Sequence, residues 1–141
     1  MGLFKDAQEL ENVFTHFIKE VLTHPLIGPK LGRSKMIVQF QYTDPDGQIT
    51  IDLRNPGDGG MAGTFMWGET PLQPDVVFKQ SADFSNRFWQ GKENVIAALA
   101  KRQVTAKGSI TKALQLIPII RPSFRIYPQV VEKMGMRHLL G

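Results

Sequence analysis

Residues 35 to 54 constrain the fold most. "KMIVQFQYTD" alternates, with Met36, Val38, Phe40 and Tyr42 on one side and Gln39 and Gln41 on the other. "PDGQ" has the composition of a turn. "ITIDLR" then alternates again, Ile49, Ile51 and Leu53 against Thr50, Asp52 and Arg54. Two such runs around a turn predict a β-hairpin with one apolar and one polar face. The apolar face needs cover, and the rest of the chain has to supply it.

The flanking segments carry suitable patterns. Asp6 reads as an N-cap with Glu9 as its capping-box partner. Leu10, Val13, Phe14, Phe17, Ile18 and Val21 follow on one helical face until His24-Pro25 stops the helix. "GPKLGR" reads as a loop, and so does "NPGDGG". "MAGTFMWG" is a third strand, with Gly63 at a bulge or a close approach of another group. "DVVFKQ" is a fourth strand. "SADFSNRFWQG" and "KENVIAALAKRQ" are short helices, the first with a Ser or Asp cap and Gly91 as its stop. "VTAKG" is a fifth strand, and "SITKALQLI" is a helix capped by Ser109. Pro118 is expected to end that helix at Ile117 and leave "PIIRP" as an apolar rim or lid. The tail from Arg121 reads as irregular, with a helix after Pro128. Early strands and late helices without regular alternation define an α+β class: a five-stranded, mostly antiparallel sheet with helices on one face. The two helices between the fourth and fifth strands allow those strands to run parallel.

A length of 141 residues suits one domain, and a hydrophobic fraction of 42% suits a sizeable core. Cysteine is absent, which removes disulfides and thiolate chemistry and fits a reducing compartment. The net charge of +4 is scattered without long runs. That describes a solvated surface or a weak, salt-sensitive contact with anionic membranes. No basic stripe with interleaved aromatics points to nucleic acid. No segment reads as a signal peptide or a membrane span, so a cytoplasmic protein is expected.

The search for reactive groups finds little. His16, His24 and His138 form no metal-binding pattern, and no metal or other cofactor is expected. "GDGGMA" matches the glycine spacing of a dinucleotide loop, but a strand follows it instead of the required helix. No serine lies in a nucleophile elbow. Phe65, Trp67, Phe78, Phe84, Phe88 and Trp89 crowd the middle of the chain. Three amphipathic helices and an apolar tail exceed what one face of five strands absorbs, and one solution is an internal cavity.

The block from Asp75 to Ile117 resembles the sterol carrier protein type 2 family in order and spacing. The strand Asp75–Gln80 leads to a capped helix with Asp83-Phe84 in its first turn, then Gly91-Lys92. The short helix Val95–Ala100, the strand Val104–Gly108 and a helix from Ser109 with Ala113 follow. Lys101-Arg102 departs from the usual family pattern before the fifth strand.

The resemblance implies a single domain over residues 1–141 with an apolar tunnel between sheet and helices. Residues 1–33 would form an N-terminal helix and loop, 34–120 the sheet and cavity helices, and 121–141 a C-terminal segment or lid. The expected lining is Phe65, Trp67, Phe84, Phe88, Ile96, Leu99, Ile110, Leu114, Ile117, Phe124 and Ile126. Lys101, Arg102, Lys107, Lys112 and Arg121 are candidates for a basic rim that meets a ligand head group. Three functions follow in order. The first is a non-enzymatic carrier of a fatty acid, fatty acyl-CoA, phospholipid or sterol-like molecule. The second is an accessory protein presenting hydrophobic intermediates to enzymes of quinone or steroid metabolism. The third is a small enzyme using Asp83, Glu93 or His138 as acid or base.

Overall fold

The computed structural model describes residues 2–141. Its first helix, α1, spans Ala7–Thr23. Asp6 caps it by accepting a hydrogen bond from the Glu9 N–H at 2.9 Å. The Glu9 carboxylate accepts from the N–H of Lys5, one residue before the cap, at 3.1 Å. The helix buries all six of the expected apolar positions together with Leu22, and His24 ends it in an extended conformation.

"GPKLGR" is not a loop. Ile27–Arg33 forms a second helix, α2, which buries Ile27 and Leu31. Proline and two glycines lower its intrinsic propensity, and tertiary burial overrides that. The strands are β1 (Ile37–Thr43), β2 (Gly47–Asp52), β3 (Thr64–Trp67), β4 (Val76–Ser81) and β5 (Val104–Gly108). They form one five-stranded sheet in the order β3-β2-β1-β4-β5. β1 and β2 are the predicted hairpin, in antiparallel register from Ile37 opposite Asp52 to Tyr42 opposite Gly47. β3 is shorter than predicted, because Asp58–Gly60 forms a 3-10 turn and pairing starts only at Thr64. A side chain at Gly63 would meet the Asp52 carbonyl at 2.5 Å, so glycine permits this close approach.

β4 and β5 are antiparallel, contrary to the crossover allowed by the sequence. The helices between them, α3 (Ala82–Trp89) and α4 (Val95–Ala100), leave and return at the same end of the sheet, where Gln80 faces Val104. The parallel pair is β1 with β4. Residues 68–75 therefore act as the crossover, running from edge strand β3 past β2 and β1. Ser81, not Asp83, caps α3, accepting from the Phe84 N–H at 3.0 Å.

The C-terminal third departs most from expectation. The helix after β5 splits into α5 (Ile110–Leu114) and α6 (Ile117–Ile120). Ser109 makes no side-chain cap. Gly108 has φ of +100°, and a side chain there would run into the Asp75 carbonyl. Pro118 begins a helix instead of ending one, sitting in the first turn of α6. Its ring and missing N–H are incompatible with an α-helical bond to Leu114, so α5 breaks one turn earlier, at Gln115. The tail is also not irregular. Ser123–Lys133 forms α7 straight through Pro128. An internal proline costs about 3 kcal/mol, and full burial of Tyr127 and Val131 offsets it. The Tyr127 hydroxyl donates to Asn86 Oδ1 at 2.6 Å, and Asn86 Nδ2 donates to the Leu139 carbonyl at 2.7 Å. These bonds fasten α7 and the C-terminal 3-10 turn to α3.

One sheet face is apolar: Val38, Phe40, Tyr42, Ile49, Ile51, Phe65, Trp67, Val76, Phe78 and Val104 share it through the strand registers. The helices cover this face. The opposite face carries a polar ladder in which Gln41 donates to Gln39 at 2.8 Å and Gln39 to Thr50 at 3.0 Å. Among the described residues, no helix is long and apolar enough to cross a membrane.

Candidate ligand site

A cavity of about 100 Å³ lies between the apolar sheet face and the helices. Its floor is Val38 and Phe40 of β1, Ile51 of β2, Phe78 and Gln80 of β4, and Val104 of β5. Phe40 and Phe78 sit opposite each other in the parallel register and stack with centroids 5.7 Å apart. Ile18, Val21 and Leu22 of α1, with Leu31 of α2, close one side. Phe84, Phe88 and Trp89 of α3 and Val95 of α4 close another. The remaining wall is Ala113 and Leu114 of α5, Leu116, and Ile117 and Ile120 of α6. The lining side chains are aliphatic or aromatic except for Gln80. An apolar cavity of roughly 150 Å³ stays dry and accepts benzene, so this one suits a small apolar group.

Of the eleven lining residues expected from sequence, Phe84, Phe88, Leu114 and Ile117 border this cavity. Phe65 and Trp67 share its sheet face but lie on the edge strand. Trp67 packs beside Tyr42 and donates its indole N–H to Thr15 Oγ1 at 2.8 Å. Ile96 is 62% exposed, because α4 turns Ala98 inward instead. Leu99 and Ile126 pack against the core away from the cavity. Phe124 stacks edge-on against Phe88 and Trp89 from behind the wall. Ile110 is half-buried at the start of α5.

The basic candidates Lys101, Arg102, Lys107, Lys112 and Arg121 are all exposed, and none borders the cavity. The cations that do border a depression lie elsewhere. Arg33, Lys35 and Arg54 line an open hollow of about 580 Å³ beside α2 and the β2–β3 loop, together with His24. Leu22 and Leu53 border both hollow and cavity. Arg54 also holds Asp52 at 2.9 Å, which keeps that carboxyl below the usual range.

The three candidate acid–base residues occupy structural contacts. Asp83 accepts from the Leu3 N–H at 2.9 Å. Glu93 pairs with Arg87 at 2.8 Å, and His138 with Glu9 at 3.1 Å. None of the three lines the cavity. Tyr42 and Tyr127 are buried, which pushes both phenols up, so they remain neutral hydroxyls. No cluster of metal-ligating side chains exists among the described residues.

Sequence reasoning missed Val38, Phe40, Phe78, Gln80 and the α1–α2 side of the wall. The alternation of β1 put Phe40 on an apolar face, but only the parallel register sets Phe78 of β4 beside it.

Comparison with known proteins agrees with this architecture. Sterol Carrier Protein 2 from Yarrowia lipolytica superposes with a TM-score of 0.64 at 18% identity, covering 85% of this chain and 96% of that one. The sterol carrier protein domain 2 of Helicoverpa armigera gives 0.65 at 18% identity, covering 82% and 89%. The ubiquinone synthesis protein UbiJ-SCP2 gives 0.61 at 7% identity, covering 83% and 93%. At these identities the likeness is one of fold. No curated protein matches the sequence significantly. The family model for the SCP-2 sterol transfer family matches residues 18–121, which run from the middle of α1 to the end of α6 and contain the whole cavity wall. The chain belongs to the SCP-2 sterol transfer family.

Proposed function

We propose that this protein binds and carries a lipid or other apolar molecule in the cavity between sheet and helices, without transforming it. The observation that carries this reading is the lining itself. Aliphatic and aromatic side chains surround a cavity that no acid, base or metal-ligating group borders. Such a site lowers the free energy of an apolar ligand by roughly 0.8 kcal/mol per buried CH₂. It offers a carboxylate or a phosphate no charge partner. Membership of the family supports the same reading.

A cavity of about 100 Å³ is smaller than a sterol or a long acyl chain. A ligand of that size enters only if one wall moves. The α5–α6 wall is the most weakly held: α5 buries only Ala113, and α6 buries no residue fully. Few buried contacts mean a low free energy of local opening. In this reading the moving element is residues 110–120, while 121–141 acts as a brace against α1 and α3. The open hollow lined by Arg33, Lys35 and Arg54 is where a charged head group, or an anionic membrane, would meet the protein.

Organic extraction of the protein purified from its own cells, followed by mass spectrometry, tests the carrier reading. A co-purifying apolar molecule that displaces a bound fluorescent fatty acid is expected. Absence of both extract and uptake refutes it. A second reading, presentation of hydrophobic intermediates to partner enzymes, draws on the fold likeness to a ubiquinone synthesis protein. Co-purification of enzymes that act on the extracted molecule favours it over simple transport.

A further inference from the structure

We propose that Gln80 is the specificity residue of the cavity, and that it selects an apolar molecule bearing one neutral hydrogen-bonding group, a hydroxyl or a ketone oxygen. This rests on the carrier reading and narrows it. Gln80 is only 7% exposed, yet it lies on the apolar face of the sheet and lines the cavity. Its backbone is held between Tyr42 of β1 and Val104 of β5, so its position is set by two strands. The polar residues on the other face are tied into a ladder of side-chain hydrogen bonds. The Gln80 amide makes none among the described residues.

An amide set among apolar side chains without a protein partner is disfavoured, and folded proteins rarely retain one without a reason. Leucine or methionine would complete the apolar wall at less cost. An amide offers an acceptor oxygen and two N–H donors, so it can accept from a hydroxyl or donate to a carbonyl. One amide in an otherwise aliphatic and aromatic cavity matches a ligand with one neutral oxygen. No cation borders the cavity, so an ionised carboxylate would enter without a counter-charge.

The test uses three probes of one size: toluene, 4-methylphenol and 4-methylbenzoate. Their affinities are measured by NMR titration of the wild-type chain, Gln80→Met and Gln80→Leu near neutral pH, where the phenol is uncharged. The ratio of 4-methylphenol to toluene affinity is expected to fall about tenfold in both variants, the size of effect that one buried hydrogen bond gives. Toluene affinity should hold or rise, and both variants should unfold at or above the wild-type temperature because an unpartnered amide has gone. An unchanged ratio overturns the role of Gln80 while leaving the carrier reading intact. A fall in unfolding temperature of several degrees also overturns it, since the amide would then be a structural partner. 4-Methylbenzoate binding as tightly as the phenol refutes selection for a neutral group. If no probe binds any of the three proteins, the carrier reading fails and this inference with it.

Discussion

Filling the cavity should raise stability and abolish ligand uptake together. Ala113 lies in α5, is buried, and borders the cavity. It also packs with Met36, Val38 and Val76, which limits where a larger side chain can go. An empty cavity costs about 24 cal/mol per Å³. About 100 Å³ therefore represents roughly 2 kcal/mol of missing packing. Ala113→Leu adds three carbons, which at about 0.8 kcal/mol each would contribute a similar amount if all were accommodated. Overpacking strain of about 1 kcal/mol or more is to be subtracted. A net gain of about 1 kcal/mol is expected, or a rise of roughly 3–5 °C in Tm. Val104→Ile, from the opposite wall, adds one methylene and should gain about half as much. Urea unfolding supplies the stability, and displacement of a fluorescent fatty acid supplies the uptake. Both variants should lose uptake in order of added volume. Lower stability with unchanged uptake in both would refute the reasoning, because it would mean that the cavity is neither empty nor the ligand site.

Three further outcomes follow from other parts of the fold. Tyr127→Phe leaves Asn86 Oδ1 buried without its donor, and a loss of about 1–3 kcal/mol in denaturant unfolding is expected. Ile96→Lys should change stability by less than about 0.5 kcal/mol and leave fatty-acid uptake intact, since Ile96 points to solvent. Arg54 holds the Asp52 carboxyl below its ordinary value of about 3.9. The stability this confers is complete above that value and disappears as pH falls through the lowered one. In Arg54→Ala the Asp52 carboxyl should titrate near its ordinary value by NMR, with a small loss of stability at neutral pH and none at strongly acid pH.

Much of the architecture was legible from periodicity. The alternation in β1 and β2 and the apolar stripe of α1 survive in the fold because each places one side chain class on one face, whatever its neighbours do. The Asp6 and Ser81 caps act within one turn and are equally local. The C-terminal third was not legible. Pro118 and Pro128 read as breaks because the missing N–H is a local fact, whereas their accommodation is not. Burial of Tyr127 against α1 aromatics and Asn86 holds α7 through its proline. The site shows the same division. Phe84, Phe88, Leu114 and Ile117, expected as lining, do border the cavity. Ile96, also expected there, is exposed, because a six-residue helix with apolar residues on several sides does not declare which one faces inward.

The sequence by itself determined the class of protein: an α+β domain whose early strands and first helix each carry one apolar face. Those properties depend on residue type and short-range spacing. Only the tertiary structure decided that β1 runs parallel to β4, that Phe40 and Phe78 therefore meet, and that Gln80 is enclosed with them. Strand order and helix placement set which distant residues share a cavity, and these depend on contacts between segments many residues apart. A glutamine in an alternating strand looks the same in sequence whether it faces water or the inside of the protein. Its register against two neighbouring strands makes the difference.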